Sequence, residues 1–251
     1  MNSAFHNKTI LVTGASSGIG FASAQAFLAQ GAKRVYMTGR DANKLTTAVA
    51  ALGENAIGVV TDVADLAQIE QLKTAIAEHG DTLDVIFANA GVAHYNHLGA
   101  TNVADFDTLF DTNVKGLFFT VQTLLPLLKQ GGNIVLNASM TSNKGSANLS
   151  VYSASKAAVR SFARSWANDL KDRKIRVNAI SPGVTRTPIM EVMNLSEADI
   201  DQFAAYLVDA APAGRMAQSD EIATAVTFLA SNAASYINGI ELTVDGGLTQ
   251  I

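Results

Sequence analysis

The sequence contains no cysteine and only four prolines among its 251 residues. Without thiols the chain can form neither disulfides nor thiolate metal sites, which fits the cytoplasmic location that we expect. The N-terminus has no long apolar stretch behind a basic start, so a secretory signal peptide is not expected. No apolar run reaches the roughly 18 residues of a membrane span, and a membrane partner is therefore not expected.

Basic residues are few as well. Lysine and arginine number 18 against 22 aspartates and glutamates, so the formal net charge is −4. Proteins that bind nucleic acids present a basic face to the phosphates, so nucleic acid is not an expected partner. Hydrophobic residues make up 48% of the chain and charged residues only 16%, which suggests that extra surface is buried between subunits.

Seven short apolar runs, rich in β-branched residues, alternate with longer helical patterns. Strands that are apolar on both faces and separated by crossover helices predict an α/β fold, in which a parallel sheet has helices on both sides. No Pro-rich or charge-rich linker interrupts the series, so residues 1–251 are expected to form one domain. The seven runs lie at 8–14, 33–39, 56–62, 83–91, 132–139, 175–183 and 239–247.

The segment at about 185–215 departs from this rhythm. It follows the sixth run and contains a helical pattern at 196–210 before the next regular helix. Parallel sheets of this kind bind ligands at the carboxyl ends of their strands, so the segment is predicted to be a substrate lid. The alternative is a surface excursion with no role in binding.

Three glycines follow the first apolar run. Gly14, Gly18 and Gly20 lie in TGASSGIG, residues 13–20, between the first predicted strand and the first predicted helix. Glycine allows a tight turn and a close approach of the backbone to a pyrophosphate, and the helix N-terminus offers free N–H groups. In this position the pattern predicts a dinucleotide-binding site.

The end of the second run indicates which dinucleotide binds. A carboxylate there recognises the ribose 2′-hydroxyl of NAD, but this chain has Gly39 followed by Arg40. A guanidinium can bind a 2′-phosphate, so NADP(H) is predicted over NAD(H), unless Asp41 pairs with Arg40 instead. Asp62, which ends the third run, is expected to meet the adenine or to cap the next helix, for which Asp65 is the better candidate.

Tyr152 and Lys156 lie four residues apart, and Ser139 lies thirteen residues before Tyr152. On a helix, the tyrosine and the lysine share one face, so a phenol and an ammonium group project into the same space. A tyrosine titrates near pH 10 and needs a nearby positive charge to exchange protons at neutral pH. A Tyr/Lys pair at this spacing also occurs on solvated helix faces. It indicates a catalytic site only in combination with the glycine turn.

These features, with N-A-G at 89–91 and P-G at 182–183, are in the order and spacing of one known family. The chain resembles the classical short-chain dehydrogenases/reductases over essentially its whole length. The resemblance implies a Rossmann-type, doubly wound three-layer fold with a seven-stranded parallel sheet. It also implies a nicotinamide cofactor, reversible carbonyl/alcohol chemistry that requires no metal, and commonly a homotetramer.

The resemblance assigns roles to the matching positions. Asn113, inside a helix expected to run to about Lys129, would hold a water that links Lys156 to solvent. The chain departs from the family's N-N-A-G at Ala88 and has Thr185 where Ile or Val is frequent, and we expect both changes to be tolerated. The cofactor contacts expected in addition to those named above are Ser16, Ser17, Ile19, Val63, Asn89, Ala90, Gly91, Tyr152, Lys156, Pro182, Gly183, Thr185 and Thr187.

In the chemistry that the resemblance implies, Ser139 polarises the substrate oxygen, Tyr152 exchanges a proton with it, and Lys156 lowers the pKa of the tyrosine. The substrate side is mostly apolar, which predicts an uncharged, hydrophobic ketone or secondary alcohol. The alternative is that this set only seals the 185–215 segment against the core and that the histidine is a surface residue. The expected substrate contacts are Ser139, Tyr152, His94, Tyr95, Met190, Met193 and Tyr206.

Two other functions are weighed against this prediction. A 3-oxoacyl-[acyl-carrier-protein] reductase would need basic groups around the site mouth, because its carrier is acidic. A nucleotide sensor or scaffold would keep the fold without catalysis, and would be expected to lack some of the four catalytic residues, all of which are present here. The candidate basic residues for a carrier are Arg160, Arg164, Arg173 and Lys174.

Overall fold

The computed structural model describes residues 3–192 and 196–251, and within them seven strands form one sheet. The strand order is β3-β2-β1-β4-β5-β6-β7 and every pairing is parallel, which confirms the predicted seven-stranded Rossmann-type sheet. The strands are β1 (Thr9–Val12), β2 (Arg34–Gly39), β3 (Ala56–Val60), β4 (Leu83–Ala88), β5 (Leu128–Asn137), β6 (Arg176–Pro182) and β7 (Glu241–Val244).

Helices cover both faces of the sheet, as the alternating pattern predicts. The helices are α1 (Gly18–Ala29), α2 (Ala42–Leu52), α3 (Leu66–Glu78), α4 (Val103–Phe110), α5 (Leu117–Leu124), α6 (Ser150–Asp169), α7 (Ile189–Val192), α8 (Glu197–Ala210) and α9 (Ser219–Ala230). On one face, α1, α2 and α9 bury Phe27, Leu45 and Val226 against the strands. On the other face, α3 and α5 bury Leu72 and Val121, together with side chains of α6. This is the predicted doubly wound, three-layer architecture.

The direction of winding reverses between β1 and β4. β1 pairs with β2 on one side and with β4 on the other, so the chain builds outward from the middle of the sheet twice. At such a point the loops that follow the two strands pass to opposite faces and leave a crevice between them. The glycine turn at 13–20 and the N-A-G turn at 89–91 lie on the two sides of this crevice.

Two buried aspartates hold the opposite, amino-terminal edge of the sheet. Asp81 accepts a hydrogen bond from the hydroxyl of Tyr36 at 2.8 Å and also pairs with Arg34. Asp84 pairs with the ammonium group of Lys129 at 2.8 Å. Burial, reinforced by Asp81, raises the pKa of Tyr36 to about 12, so the phenol stays protonated and the network is intact at neutral pH.

The connection between α5 and β5 differs from the sequence prediction. The predicted helix to about Lys129 is wrong at its end, because α5 stops at Leu124 and a single 3-10 turn follows. Pro126 lies in that turn and has no backbone N–H with which to continue the helical hydrogen bonds. β5 then begins before residue 132, because Leu128 already pairs with Leu83 ahead of a shift in register.

The 185–215 segment contains α7 and α8 and is anchored by apolar contacts. Ser196 caps α8 reciprocally with Asp199, whose N–H donates to the serine hydroxyl at 3.2 Å while its carboxylate accepts from the serine N–H at 2.8 Å. The buried cluster under the segment extends beyond it to Met140 and Leu248. The helical pattern predicted at 196–210 is therefore present, as α8.

Neither a membrane span nor a metal centre is found in residues 3–192 and 196–251. None of the helices in these ranges combines the length and the apolarity that crossing a membrane requires. Within these ranges, no group of three or more His, Asp or Glu side chains is close enough together to hold a metal ion.

Candidate active site

The glycine turn after β1 and the turn after β4 bind each other across the crevice. Asn89 Nδ2 donates to the carbonyl oxygens of Thr13 at 2.9 Å and of Gly14 at 3.1 Å. The hydroxyl of Thr13 in turn accepts hydrogen bonds from the N–H groups of Asn89 and Ala90, at 2.9 and 3.0 Å. These bonds fix both backbone turns, so the predicted cofactor residues at 14–20 and 89–91 lie side by side.

The start of α1 lies so close to the glycine turn that only glycine fits at position 20. A Cβ at Gly20 would lie 2.2 Å from the carbonyl oxygen of Gly14. Ser17 precedes α1 without a side-chain capping bond among the described residues, and the first turn of α1 has no acidic residue. Ile19 packs against the core beneath the helix. The N–H groups at the start of α1 are therefore available to an anion, and they fit a pyrophosphate.

Arg40 and Lys44 supply positive charge beyond the end of β2. Arg40 is exposed directly after Gly39. Asp41, its alternative partner, caps α2 by accepting hydrogen bonds from the N–H groups of Asn43 and Lys44, both at 3.0 Å. Lys44 is absent from the sequence prediction, although its position four residues after Arg40 could have indicated it. A neighbouring cleft of about 460 Å³ is lined by Ser16, Ser17, Phe21, Asn43, Lys44, Thr47, Ala48 and Ala51.

The turn after β3 gives its two carboxylates different tasks. Asp65 is the N-cap of α3 and accepts a hydrogen bond from the N–H of Ala67 at 2.9 Å. Asp62 instead closes the preceding turn by accepting from the N–H of Ala64 at 2.9 Å, beside the buried Val63. The capping role considered for Asp62 therefore belongs to Asp65, and the adenine contact of Asp62 stays a prediction.

Three side chains predicted to be catalytic converge beyond the carboxyl end of β5. Tyr152 and Lys156 lie on α6, and Ser139 follows β5. The Nζ of Lys156 lies 5.9 Å from the centre of the Tyr152 ring and donates to the backbone carbonyl of Asn137 at 2.7 Å. The side chain of Ser139 lies close enough to Tyr152 to lower its pKa, and the Ser139 Oγ accepts from the N–H of Thr141 at 3.2 Å. The spacing in the sequence therefore predicts the juxtaposition correctly.

Burial governs the titration of the two groups on α6. It raises the pKa of Tyr152 above the usual value, and the neighbouring Ser139 side chain opposes this rise. Lys156 is not among the causes of that shift, because its ammonium group donates to the Asn137 carbonyl, and the predicted lowering of the tyrosine pKa by this lysine stays a prediction. Burial lowers the pKa of Lys156 itself to about 8. Tyr152 is protonated at neutral pH, as a group that gives a proton to a carbonyl oxygen must be.

Asn113 lies in a single π-helical turn between α4 and α5, where the widened backbone lets its side chain turn inward. Its Oδ1 accepts from the N–H of Val92 at 2.8 Å, and its Nδ2 donates to the Val92 carbonyl at 2.9 Å and to Ser155 Oγ at 3.1 Å. A Cβ at Gly91 would lie 3.1 Å from Asn113 Oδ1 and 3.2 Å from Lys156 Nζ. The asparagine thus locks the turn after β4 onto the helix layer, next to the lysine.

The turn after β6 contains the remaining predicted cofactor residues. Pro182 ends β6, and the N–H of Gly183 donates to a carbonyl at the end of β7 at 2.9 Å. Thr185 is buried, and its hydroxyl donates to the carbonyl of Gly183 at 3.1 Å. The side chain of Thr187 packs against the start of α1, since a Cβ added to Gly18 would lie 3.3 Å from it. This turn therefore reaches back to the anion-accepting end of α1.

Two of the predicted substrate residues follow β4. His94 is half-buried, and Tyr95 is 39% exposed. Burial, together with the negative charge of Asp199, raises the pKa of Tyr95. The start of α8 therefore lies near the turn after β4, on the side of the crevice where Tyr95 stands.

The other predicted substrate residues belong to the 185–215 segment. Met190 is buried in the cluster that anchors the segment, which agrees with the alternative that this side chain seals the segment against the core. Tyr206 is 56% exposed on α8. Met193 lies outside the described residues. A direct substrate contact of these three side chains stays a prediction.

Comparison with known proteins identifies relatives over the whole chain. The short-chain alcohol dehydrogenase model described as enoyl-(acyl carrier protein) reductase matches residues 14–249. The chain is 42% identical to an oxidoreductase from Sarocladium schorii, over 97% of this chain and 96% of that protein. It is 36% identical to a versicolorin reductase from Emericella nidulans, over 96% and 95% of the two chains. A solved structure described as a candidate β-ketoacyl-ACP reductase has a TM-score of 0.86 and 40% identity, covering 98% of this chain and all of that one.

Proposed function

The chain belongs to the short-chain dehydrogenase/reductase family of nicotinamide-dependent oxidoreductases, and on that premise we propose that it reduces a hydrophobic ketone to a secondary alcohol with NADPH. The observation that carries the proposal is the convergence of Ser139, Tyr152 and Lys156 beside the crevice between β1 and β4. A protonated phenol next to a serine hydroxyl can deliver a proton to a carbonyl oxygen that both groups bind.

Each of the four proposed catalytic residues has a distinct task. Ser139 donates a hydrogen bond to the substrate oxygen, and Tyr152 gives that oxygen its proton. Lys156 holds its ammonium group between the Asn137 carbonyl and the Tyr152 ring, where its charge favours the phenolate that forms. Asn113 fixes the backbone beside the lysine and lies on the proposed route by which a water resupplies the proton.

The described residues fit a nicotinamide dinucleotide. We propose that the pyrophosphate binds the N–H groups at the start of α1, with Ser16, Ser17 and Ile19, and that Asp62 and Val63 border the adenine. The N-A-G turn at 89–91 and the turn that contains Thr185 and Thr187 would hold the nicotinamide end. When bound, the nicotinamide would supply the hydride, and these residues would orient it.

NADPH is preferred in this proposal because of two basic side chains. Arg40 is exposed, and Lys44 lines the cleft with Ser16 and Ser17. The carboxylate of Asp41 is occupied by the start of α2, so it leaves Arg40 to a 2′-phosphate. A carboxylate that would bind a 2′-hydroxyl is absent at Gly39.

Replacing Arg40 and Lys44 together by alanine is expected to raise KM for NADPH by at least about tenfold, since each side chain makes a charge-assisted bond to the phosphate. KM for NADH should change little, because NADH has no phosphate at this position. Initial rates with each cofactor measure the two effects, and Lys171→Ala serves as the control for lost surface charge. An equal loss with both cofactors would contradict a 2′-phosphate contact.

An apolar substrate is supported by two observations. The cluster of apolar side chains under the 185–215 segment joins Met140, next to Ser139, to Met190 and Leu248. A relative over nearly the whole chain is a versicolorin reductase. We propose that the segment closes over the substrate as a lid and that His94 and Tyr95 border its mouth.

Initial rates with aryl ketones, an aliphatic β-keto ester and a 3-oxoacyl thioester test the function, each with NADPH and with NADH. We expect simple ketones to be reduced with NADPH, and the Tyr152→Phe enzyme gives the blank rate. Preference for the thioester would replace the proposal by the second candidate below. Tight NADPH binding without turnover of any substrate would point to a non-catalytic nucleotide sensor.

The second candidate is reduction of a 3-oxoacyl group on an acyl carrier protein. It is favoured by the 40% identity to the structure described as a candidate β-ketoacyl-ACP reductase. Of the four basic residues considered for an acidic carrier, Arg160 pairs with Glu241, and Arg173 donates to carbonyl groups at the end of the α5 connection. Two of the four are thus engaged within the chain, which ranks this function second.

A homotetramer is also proposed, on the basis of an aromatic surface shared by α5 and α6. Phe162 and Trp166 are stacked at 5.0 Å, and Phe118 of α5 packs against Phe162 at 5.5 Å, while all three rings retain partial exposure. Burial of these rings against a second copy would remove apolar surface from water. Light scattering is expected to give the mass of four chains, and a monomer mass would overturn the assignment.

A further inference from the structure

Glu241 begins β7, and its carboxylate is almost completely enclosed, with 8% of the side chain exposed. Four donors from other parts of the chain surround it. One carboxylate oxygen accepts from the hydroxyls of Ser142 and Ser181, and the other binds Asn143 Nδ2 and the guanidinium of Arg160. The Arg160 side chain is 35% exposed, whereas the buried carboxylate needs hydrogen bonds at both of its oxygens, which the other three donors help to supply.

The donors come from the two halves of the catalytic site. Ser142 closes the turn that begins at Ser139, because its N–H donates to the Ser139 carbonyl at 2.9 Å. Arg160 lies on α6 four residues after Lys156 and eight after Tyr152, so it projects from nearly the same side of the helix. Glu241 thus connects the segment that holds the serine to the helix that holds the tyrosine and the lysine.

We propose that Glu241 is a positioning residue, which sets the distance between Ser139 and Tyr152 by binding the turn and α6 at the same time. The inference rests on the proposed function, because that distance matters only if both hydroxyls bind one substrate oxygen. The hydroxyl of Ser181 on β6 also donates to this carboxylate. The Ser139 turn, α6 and β6 are therefore all bound to Glu241. Nothing in the sequence marks this role, since the four donors lie 60 to 99 positions before Glu241.

The carboxyl group of Glu241 is ionised at the pH of ordinary assays. Burial raises the pKa of this carboxyl. Hydrogen bonds from Ser142, Ser181 and Asn143 and the charge of Arg160 lower the pKa by more than burial raises it, so the net shift is downward. The carboxylate therefore stays ionised at neutral pH. Its contacts are present above the pKa of the unfolded carboxyl and are lost only as the pH falls through the lower folded value.

A matched control exists at another carboxylate–guanidinium pair. Glu221 binds both terminal nitrogens of Arg215 at 2.7 Å, and both side chains are substantially exposed. The pair lies at the start of α9 and makes no contact with the Ser139 turn or α6 among the described hydrogen bonds. Glu221→Gln therefore removes the same kind of charge without the proposed connection.

The test compares Glu241→Gln with Glu221→Gln and the unchanged enzyme in ketone reduction. We expect kcat of Glu241→Gln, per NADPH-binding site, to fall at least about tenfold, because small displacements of reacting groups are costly. KM for NADPH should not change. The alkaline limb of the pH profile should move to higher pH, because the Ser139 side chain, which lowers the pKa of Tyr152, is no longer held beside it.

A merely structural role gives a different result. Loss of folded protein reduces the number of NADPH-binding sites but leaves kcat per site and the alkaline limb unchanged. If Glu241→Gln shows that pattern, or matches Glu221→Gln, the proposal is overturned. Ser142→Ala, which keeps the pair with Arg160, covers the case in which Glu241→Gln does not fold, and it should show a smaller shift in the same direction.

Hydrogen exchange separates this proposal from the proposed function. Amides of residues 139–143 should exchange faster in Glu241→Gln than in Glu221→Gln, whether or not any ketone is turned over. An enzyme inert toward all ketones with faster exchange would overturn the function alone. Unchanged exchange and unchanged kcat would overturn the positioning role alone.

Discussion

Tyr152→Phe is expected to lower kcat for ketone reduction by about 1,000-fold, the order of magnitude that a positioned proton donor contributes. The substitution removes only the hydroxyl, which is the group that meets Ser139. The ring packs with Val92, Leu109 and Val151, and phenylalanine preserves those contacts. The variant should therefore fold, still bind NADPH and fail at proton transfer.

The measurement is the single-turnover rate at saturating NADPH, with NADPH affinity determined by fluorescence. Tyr36→Phe is a suitable control, because it also removes one buried phenol hydroxyl but lies at the opposite edge of the sheet, bound to Asp81. That control should lose stability and keep its rate per folded molecule. A Tyr152→Phe enzyme with more than about a tenth of the original rate would show that another group delivers the proton.

The direction of the pH dependence follows from the same tyrosine. Burial raises the pKa of Tyr152, so the phenol stays protonated through the neutral range, and reduction should decline only at alkaline pH. Alcohol oxidation needs the phenolate and should rise over that alkaline range. The two directions of the reaction thus respond oppositely to pH through one group.

Most of the fold could be predicted from the sequence, because the strands of a parallel sheet are apolar on both faces and stand out as short runs. Strand β4 is buried throughout, as the run at 83–91 indicates. The predicted element boundaries are wrong where the hydrophobic pattern does not follow the secondary structure. Residues 129–131 are exposed and polar, yet they belong to β5, and Pro126 ends a helix whose apolar pattern continues past it.

The site could be predicted in part, for reasons of chain distance. Tyr152 and Lys156 are four residues apart on one helix, so their proximity follows from helical geometry alone. The π turn at Asn113 could not be predicted, because its inward side chain is stabilised by Val92 and Ser155 from other elements. The same holds for the Asn137 carbonyl that binds Lys156, because a backbone acceptor has no signature in a sequence.

Lys156→Met is expected to eliminate activity and yet to stabilise the cofactor-free protein by about 2 kcal/mol at neutral pH. Lys156 is 3% exposed, and burial lowers the pKa of its ammonium group from 10.5 to about 8. That difference corresponds to about 3 kcal/mol of unfavourable free energy for the charged form. The variant also loses the hydrogen bond to the Asn137 carbonyl, which reduces its gain in stability by about 1 kcal/mol.

The gain in stability should depend on pH in a defined window. Below pH 8 the lysine is protonated in the folded and the unfolded chain, so the cost in the original protein is complete. Between pH 8 and 10.5 the unfolded chain binds more protons than the folded one, so the original protein gains stability as the pH rises. The variant lacks this titration, and its advantage should shrink across the window.

Denaturant unfolding of both proteins at pH 7 and at pH 10 measures this difference, and Lys171→Met controls for replacing an amine by a thioether. A variant less stable than the original protein at pH 7 would contradict the cost assigned to the buried charge. The lysine would then be held by interactions stronger than the Asn137 hydrogen bond. If the prediction holds, the chain keeps at position 156 a charge that weakens its fold, and only the chemistry at Tyr152 explains why.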